Sequence, residues 1–386
     1  MNKSLIALSI GGFGIGMTEF TIMGLLPNVA AHLQVTIPQA GHLISSYAFG
    51  VVIGAPVLTA LGSKHSPKTL LIFFMLLFTF FNGISALAPD FYFLIICRFF
   101  SGLPHGAFFG VGAVVASRLA DKGKEASAVS SMFAGLTISN VIGVPIATFV
   151  GYRFGWRLAF GMVAIVGAIT VLALNAWIPP LPAKSDANIL SDLKIFRKFD
   201  LWLAIAITSI GFGGFFAWIS YIAPLLLNES KFSANAIPIM MVVAGLGMTT
   251  GNFWGGKLAD RYSPLKTIIA LMCGMILILS LNGIFASQPW LIVPLTFLTG
   301  TLAMAQCPPI QMLLIQNSSE AEMLGSSLGQ ASFNMGNSLG AFLGGIPIAL
   351  GLSYASPQWV GALMSLVGVV LASLLWQRNR THRGLV

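Results

Sequence analysis

Charged residues are scarce in this chain: Asp, Glu, Lys and Arg make up 8% of its 386 residues, against about 25% in soluble domains. With 56% hydrophobic residues, a soluble globular protein is excluded and a polytopic membrane protein is expected. Acids are scarcest, 11 against 20 bases, yet the net charge of +9 does not mark a nucleic-acid binder. That function needs a basic face on a soluble module, whereas these Lys and Arg residues fall mainly in short loops. Cysteine is nearly absent, and Cys97, Cys273 and Cys307 all lie in apolar stretches. These three do not have the look of a disulfide framework or a metal site. The chain contains no Gly-x-x-x-x-Gly-Lys-Ser/Thr loop, so nucleotide hydrolysis does not drive it. No nucleophile–base set stands out either. The chain is expected not to be an enzyme and to need no cofactor, its energy coming from an ion gradient or from the substrate gradient.

What is present is length of apolar sequence. A span needs about 20 mostly apolar residues. Breaks at charges, prolines and Asn/Asp clusters mark twelve spans near 5–30, 40–61, 69–88, 91–118, 127–151, 157–178, 201–227, 235–257, 265–286, 290–315, 322–350 and 357–376. No small-residue cleavage site follows the first, so it is expected to stay as a span. Of the twenty Lys and Arg residues, Arg153, Arg157 and Lys231 fall on one side and Arg98 inside a span; the rest share the other side. By the positive-inside rule both termini are cytoplasmic. The expected class is an all-α membrane protein. Residues 1–178 form one six-helix bundle, 179–200 a cytoplasmic linker and 201–386 a second bundle. A short surface helix near 189–199 and a plain solvated linker are both compatible with the linker's composition.

The two halves repeat. Ser66-Pro67 recurs as Ser263-Pro264 and Asn140-Val-Ile-Gly143 as Asn337-Ser-Leu-Gly340, both at an offset of 197. Ser101-Gly102 recurs as Thr299-Gly300 at 198, and Phe13-Gly14 as Phe212-Gly213 at 199. Such internal repeats are a signature of secondary transporters.

One carboxylate, Glu19, lies deep inside a span. Such a group costs about 2.5–3.5 kcal/mol or more, and typically marks a proton or substrate path. Arg98, Ser101 and His105 are spaced i, i+3, i+7 and share a helix face. At a 1.5 Å rise, Glu19 lies about 20 Å from one surface, and Arg98 about 10 Å and His105 about 20 Å from the other. In a hydrocarbon core of about 30 Å these depths overlap. Arg98 is thus a candidate partner or gate for Glu19, with His105 nearby. Burial favours a neutral carboxyl and a guanidinium favours the ionised one, which is the basis for coupling a proton to a substrate. Each residue has a plainer alternative: a hydrogen bond to a neighbouring helix for Glu19, backbone carbonyls of span 1 for Arg98, and a satisfied core imidazole for His105. Neutral polar and aromatic residues are candidates for a substrate cavity: Phe20, Tyr47, Ser101, Asn140, Trp218, Tyr221, Gln306, Asn334 and Asn337. Asn252 and Gln311 share the polar character. The glycines of spans 5 and 11 most simply permit close helix packing.

The chain resembles the major facilitator superfamily, within it the twelve-span, proton-coupled drug and sugar efflux branch. Gly256-Lys-Leu-Ala-Asp260-Arg261-Tyr-Ser-Pro-Leu-Lys266 is similar to the family's cytoplasmic signature. Arg98-Phe-Phe-Ser-Gly102 resembles its span 4 signature, and the Gly-rich stretch through Gly143 and Pro145 its antiporter element. Thr18-Glu19-Phe20 with Gly24-Leu-Leu-Pro27 resembles the first span of arabinose-type efflux permeases. The resemblance implies proton-coupled antiport of a small organic molecule, such as a sugar or drug, by a monomer in a bacterial inner membrane. Its partners would be lipid, protons and substrate, with no nucleic acid. A uniporter, a proton symporter and a non-transporting sensor are alternatives on the same fold. Gly256, Asp260, Arg261 and Lys266 would gate the conformational change, with Gly143 and Pro145 permitting bending. The matching loop of the first half holds Ser63 where the family has Asp. Lys64 or Lys68 would then pair with Glu320 or Glu322 in an inverted arrangement.

Overall fold

The computed structural model describes residues 3–62, 64–122, 125–182, 197–318 and 322–383, and among them helices are the only regular elements. Span 1 is Lys3–Leu33, span 2 Ile37–Gly62, span 3 Pro67–Ala86 and span 4 Phe91–Arg118. Span 5 starts at Glu125 and ends at Phe154, and span 6 is Trp156–Trp177. Spans 7 to 10 cover 199–228, 234–261, 264–284 and 289–317. Spans 11 and 12 are Glu322–Ala349 and Ser356–Arg383. Eleven helices among the described residues are long and apolar enough to cross a membrane. Span 11 has the length, at 28 residues, but its Ser, Asn, Gln and Gly content makes it less apolar.

Helix starts follow local chemistry. Ser66 caps span 3, accepting from the Thr69 amide, with Pro67 at its first position. Asp90 caps span 4 by accepting from the Phe93 amide at 2.9 Å. Both side chains satisfy donors that a helix start leaves open. Gly155, at φ +100°, makes the sharp turn between spans 5 and 6, a conformation that costs other residues a steric penalty. Three spans are interrupted. Span 5 carries a π-helical stretch at Ser139–Gly143 and span 7 one at Ile207–Phe212. Span 7 also breaks at Tyr221 and span 10 at Gln306. The second break follows from Pro308 and Pro309, which open the next helix and cannot donate into the preceding turn.

Two compact units divide the chain: Met1–Ile189 with Ile237–Val242, and Leu190–Ala236 with Val243–Val386. Each repeats the other's packing. In the first unit a Cβ at Gly50 would strike the Phe99 carbonyl, one at Gly54 the Leu103 carbonyl and one at Gly102 the Tyr47 carbonyl. In the second, Gly247 meets Phe297, Gly251 meets Thr301 and Gly300 meets Ala244 in the same way. Spans 2 and 4, and spans 8 and 10, therefore cross backbone to backbone. Spans 5 and 11 pack likewise on spans 1 and 7, with Gly143 against Phe13 and Met17, and Gly340 against Gly213 and Ala217. The glycines of spans 5 and 11 thus serve helix packing. Elsewhere glycine has no such reason. Gly161 has nothing within 4 Å of its Cβ position. Gly161→Ala is expected to stabilise the protein by about 0.5–1 kcal/mol, read as a rise in thermal unfolding midpoint.

The surface helix expected near 189–199 falls largely outside the described residues; the first span of the second unit begins at Phe199. Near it Arg378 donates to Asp200 at 2.7 Å and sits over the Phe199 ring at 5.2 Å.

Candidate functional site: a buried charged network in the first unit

Glu19 sits in the middle of span 1, where Gly11, Gly12, Gly14, Gly16 and Gly24 let neighbouring helices approach. Its side chain is 6% exposed, and Arg98 on span 4 is 0% exposed. The two interact electrostatically, and Tyr47 of span 2 lies in the same field. Arg98 is held from several directions. Its Nη1 donates to Thr18 Oγ1 at 2.9 Å and its Nε to the Leu43 carbonyl at 3.4 Å. Its guanidinium lies over the Tyr47 ring, 4.2 Å from the centroid, and 5.6 Å from that of Phe160 on span 6. A desolvated cation over an aromatic face gains up to about 2 kcal/mol. The backbone carbonyl that receives Arg98 belongs to span 2, not to span 1 as one alternative had it.

The network runs on in two directions. Thr18 donates to Asn82 Oδ1 at 2.6 Å, and Asn82 Nδ2 donates to the Phe78 carbonyl at 2.8 Å. Tyr47 Oη and His105 Nδ1 are 3.0 Å apart, and the His105 ring rests edge-on against Phe109 at 5.5 Å. Spans 1, 2, 3 and 4 thus each supply one or more polar groups to one dry cluster. Arg98 Nη2 is buried without a hydrogen-bond partner, so the cluster retains one open donor.

Glu19, Arg98 and His105 are brought together as their depths suggested, and Tyr47, a cavity candidate, joins them. Ser101 is beside them, but its hydroxyl turns back to the Arg98 carbonyl at 2.9 Å. Phe20 is buried. Asn140 is buried in the π-helical stretch of span 5 with Oδ1 unpartnered. In the second unit Trp218, Tyr221, Gln306, Asn334 and Asn337 are all buried. Tyr221 donates to the Ala341 carbonyl at 2.7 Å. Gln306 and Asn334 each bond a carbonyl of their own helix, at 3.2 Å and 3.1 Å, leaving their side-chain oxygens unpartnered. Trp218 Nε1 is also unpartnered. Asn252 is exposed.

Of the gating residues, Lys64, Arg261 and Lys266 are exposed, and Lys68 donates to the Asn175 carbonyl at 2.7 Å. Gly256 has open space around its Cβ position, and Gly143 and Pro145 are buried. Ser63 and Glu320, and the side chains of Asp260 and Glu322, lie outside the described residues. Sequence reasoning missed two things. One is Asn82, which looks like any lone polar residue in an apolar span. The other is the spacing of Gly50 with Gly54 and of Gly247 with Gly251, whose offset of 197 was available as a signal.

Comparison with known proteins agrees with this architecture. The putative transporter AraJ of Escherichia coli K12 is 38% identical, over 97% of this chain and 95% of that protein. A probable sugar efflux transporter of Helicobacter pylori G27 is 29% identical over 97% and 94%. The crystal structure of a D-xylose-proton symporter superposes with a TM-score of 0.74 at 17% identity, covering 97% of each chain. The family profile matches residues 8–333, and on that match the chain belongs to the Major Facilitator Superfamily.

Proposed function

We propose that this transporter is a proton-coupled antiporter that exports a small organic molecule, such as a sugar or drug, from the bacterial cytoplasm. Its two units alternate access, both termini are cytoplasmic, and Glu19 carries the proton. The observation that carries this reading is the buried Glu19 in the field of a buried, hydrogen-bonded Arg98. The resemblance of span 1 to efflux permeases and of span 5 to the antiporter element supports the direction. An ionised Glu19 is compensated by the guanidinium. Once protonated it no longer is, and Arg98 is left with Thr18, the Leu43 carbonyl and the Tyr47 face. Any rearrangement that separates the two changes the proton affinity, and linkage makes the effect reciprocal. His105, bonded to Tyr47, is the second candidate on the proton path. The uncharged amides and indole of the second unit, with unpartnered atoms at Trp218, Gln306 and Asn334, favour a neutral substrate over a cation.

Inverted membrane vesicles with an acidic lumen test this. A panel of sugars, neutral antibiotics and lipophilic cations is added while a dye reports lumen pH. Substrate-dependent alkalinisation is expected in the wild type, reduced roughly tenfold or more in Glu19→Gln. An equal response from both proteins would remove Glu19 from the mechanism. A wild type that moves substrate without protons would show a uniporter.

A further inference from the structure

The repeat allows the charged cluster to be compared with its own counterpart. At the offsets that align the glycine contacts, and for span 3 the offset of Ser66-Pro67 from Ser263-Pro264, Thr18, Glu19, Tyr47, Asn82, Arg98 and His105 correspond to Ala217, Trp218, Ala244, Leu279, Thr296 and Ala303. All six counterparts are buried, and none carries a charge. The second unit packs the same helices around an uncharged set. A bundle of this shape therefore folds with Leu at the Asn82 position and Ala at the Thr18 position. At these two positions polar residues occur only in the half with the charged pair, and their hydrogen bonds lead to it.

We propose that Asn82 is a positioning residue for the Glu19–Arg98 pair, acting through the Thr18 hydroxyl; this rests on the reading of that pair as the proton-coupling site. Donor directions make the link specific. Asn82 Nδ2 is committed to the Phe78 carbonyl at 2.8 Å, which turns Oδ1 toward Thr18. The Thr18 proton then goes to Oδ1 at 2.6 Å. Its oxygen is left as an acceptor for Arg98 Nη1 at 2.9 Å. A guanidinium only donates, so it needs that oriented acceptor. Without Asn82 the hydroxyl is free to turn to a carbonyl of its own helix, as threonines in helices do. Arg98 would keep only the longer bond to Leu43. The titratable groups around the guanidinium are Glu19 from span 1, Tyr47 from span 2 and, next to Tyr47, His105 from span 4. Spans 3 and 6 contribute the neutral Asn82 and Phe160.

Infrared difference spectroscopy of the full chain in lipid nanodiscs reads the Glu19 carboxyl directly and needs no substrate; the band is assigned by its loss in Glu19→Gln. Asn82→Leu and Thr18→Val are each expected to change the proton affinity of Glu19 about tenfold, one pH unit. The double variant should change it no further, because both substitutions cut one chain. Asn282→Leu removes a buried asparagine that donates to Thr299 at 2.9 Å in the second unit. It should lower the unfolding temperature and leave the Glu19 titration unchanged. Should Asn82→Leu lower the unfolding temperature but keep the wild-type titration, Asn82 would be structural and the proposal overturned. A wild type without a titrating Glu19 band would sink the proton-carrier reading itself, and this inference with it, before any Asn82 variant is measured. Thr18→Val is isosteric and keeps the test decisive if Asn82→Leu does not fold.

Discussion

Arg98→Met is expected to destabilise the protein by about 3–5 kcal/mol when made alone, and by clearly less when combined with Glu19→Gln. Arg98 is fully buried between Tyr47 and Phe160, and Glu19 lies in its field. Removing the cation leaves a dry carboxylate uncompensated. Removing both charges leaves two near-isosteric neutral side chains in a site whose counterpart in the second unit, Trp218 and Thr296, is already uncharged. Thermal unfolding midpoints in nanodiscs give the comparison as a double-mutant cycle. Additive losses would mean that the two groups do not interact in the folded protein. Arg98→Lys should fall between wild type and Arg98→Met. It keeps the charge but not the fork that reaches Thr18 and the Leu43 carbonyl together.

The second large effect is steric. Gly102→Val should cost about 3 kcal/mol or more and abolish transport. A Cβ at Gly102 would run into the Tyr47 carbonyl, where spans 2 and 4 touch through their backbones. No side chain can move aside there, so the spans must part. Parting them also pulls Tyr47 off Arg98 and His105, so the same substitution damages packing and site together. Gly300→Val, its counterpart, would place a Cβ 2.7 Å from the Ala244 carbonyl, a milder clash with no charged cluster beside it. The expected order of unfolding midpoints is wild type, then Gly300→Val, then Gly102→Val. The reverse order would show that the crossing of spans 2 and 4 is the softer of the two.

Much of this molecule is legible from composition and period. Apolar runs bounded by charge and proline set the helices to within a few residues, except that span 12 continues past 376 through its charged end to Arg383. The other exceptions are internal. Pro224 shortly after Tyr221 and Pro308-Pro309 after Gln306 both signal these breaks in retrospect. The π-helical stretches at 139–143 and 207–212 escape, because a single extra residue in a helical turn leaves an apolar segment looking the same. The repeat was visible in a handful of dipeptides, and its physical basis, the glycine crossings of spans 2 with 4 and 8 with 10, emerged only with coordinates.

Read residue by residue, the chain is already a membrane protein of two repeated halves with one carboxylate, Glu19, deep in a span. These follow without coordinates because bilayer insertion depends on the length and polarity of each segment taken alone. The tertiary structure decided what surrounds that carboxylate. Arg98 reaches Thr18 across 80 residues, Thr18 reaches Asn82 across 64 and Tyr47 meets His105 across 58. Hydrogen bonds between helices depend on which faces are turned together and at what depth. Neither is written in the period of one span.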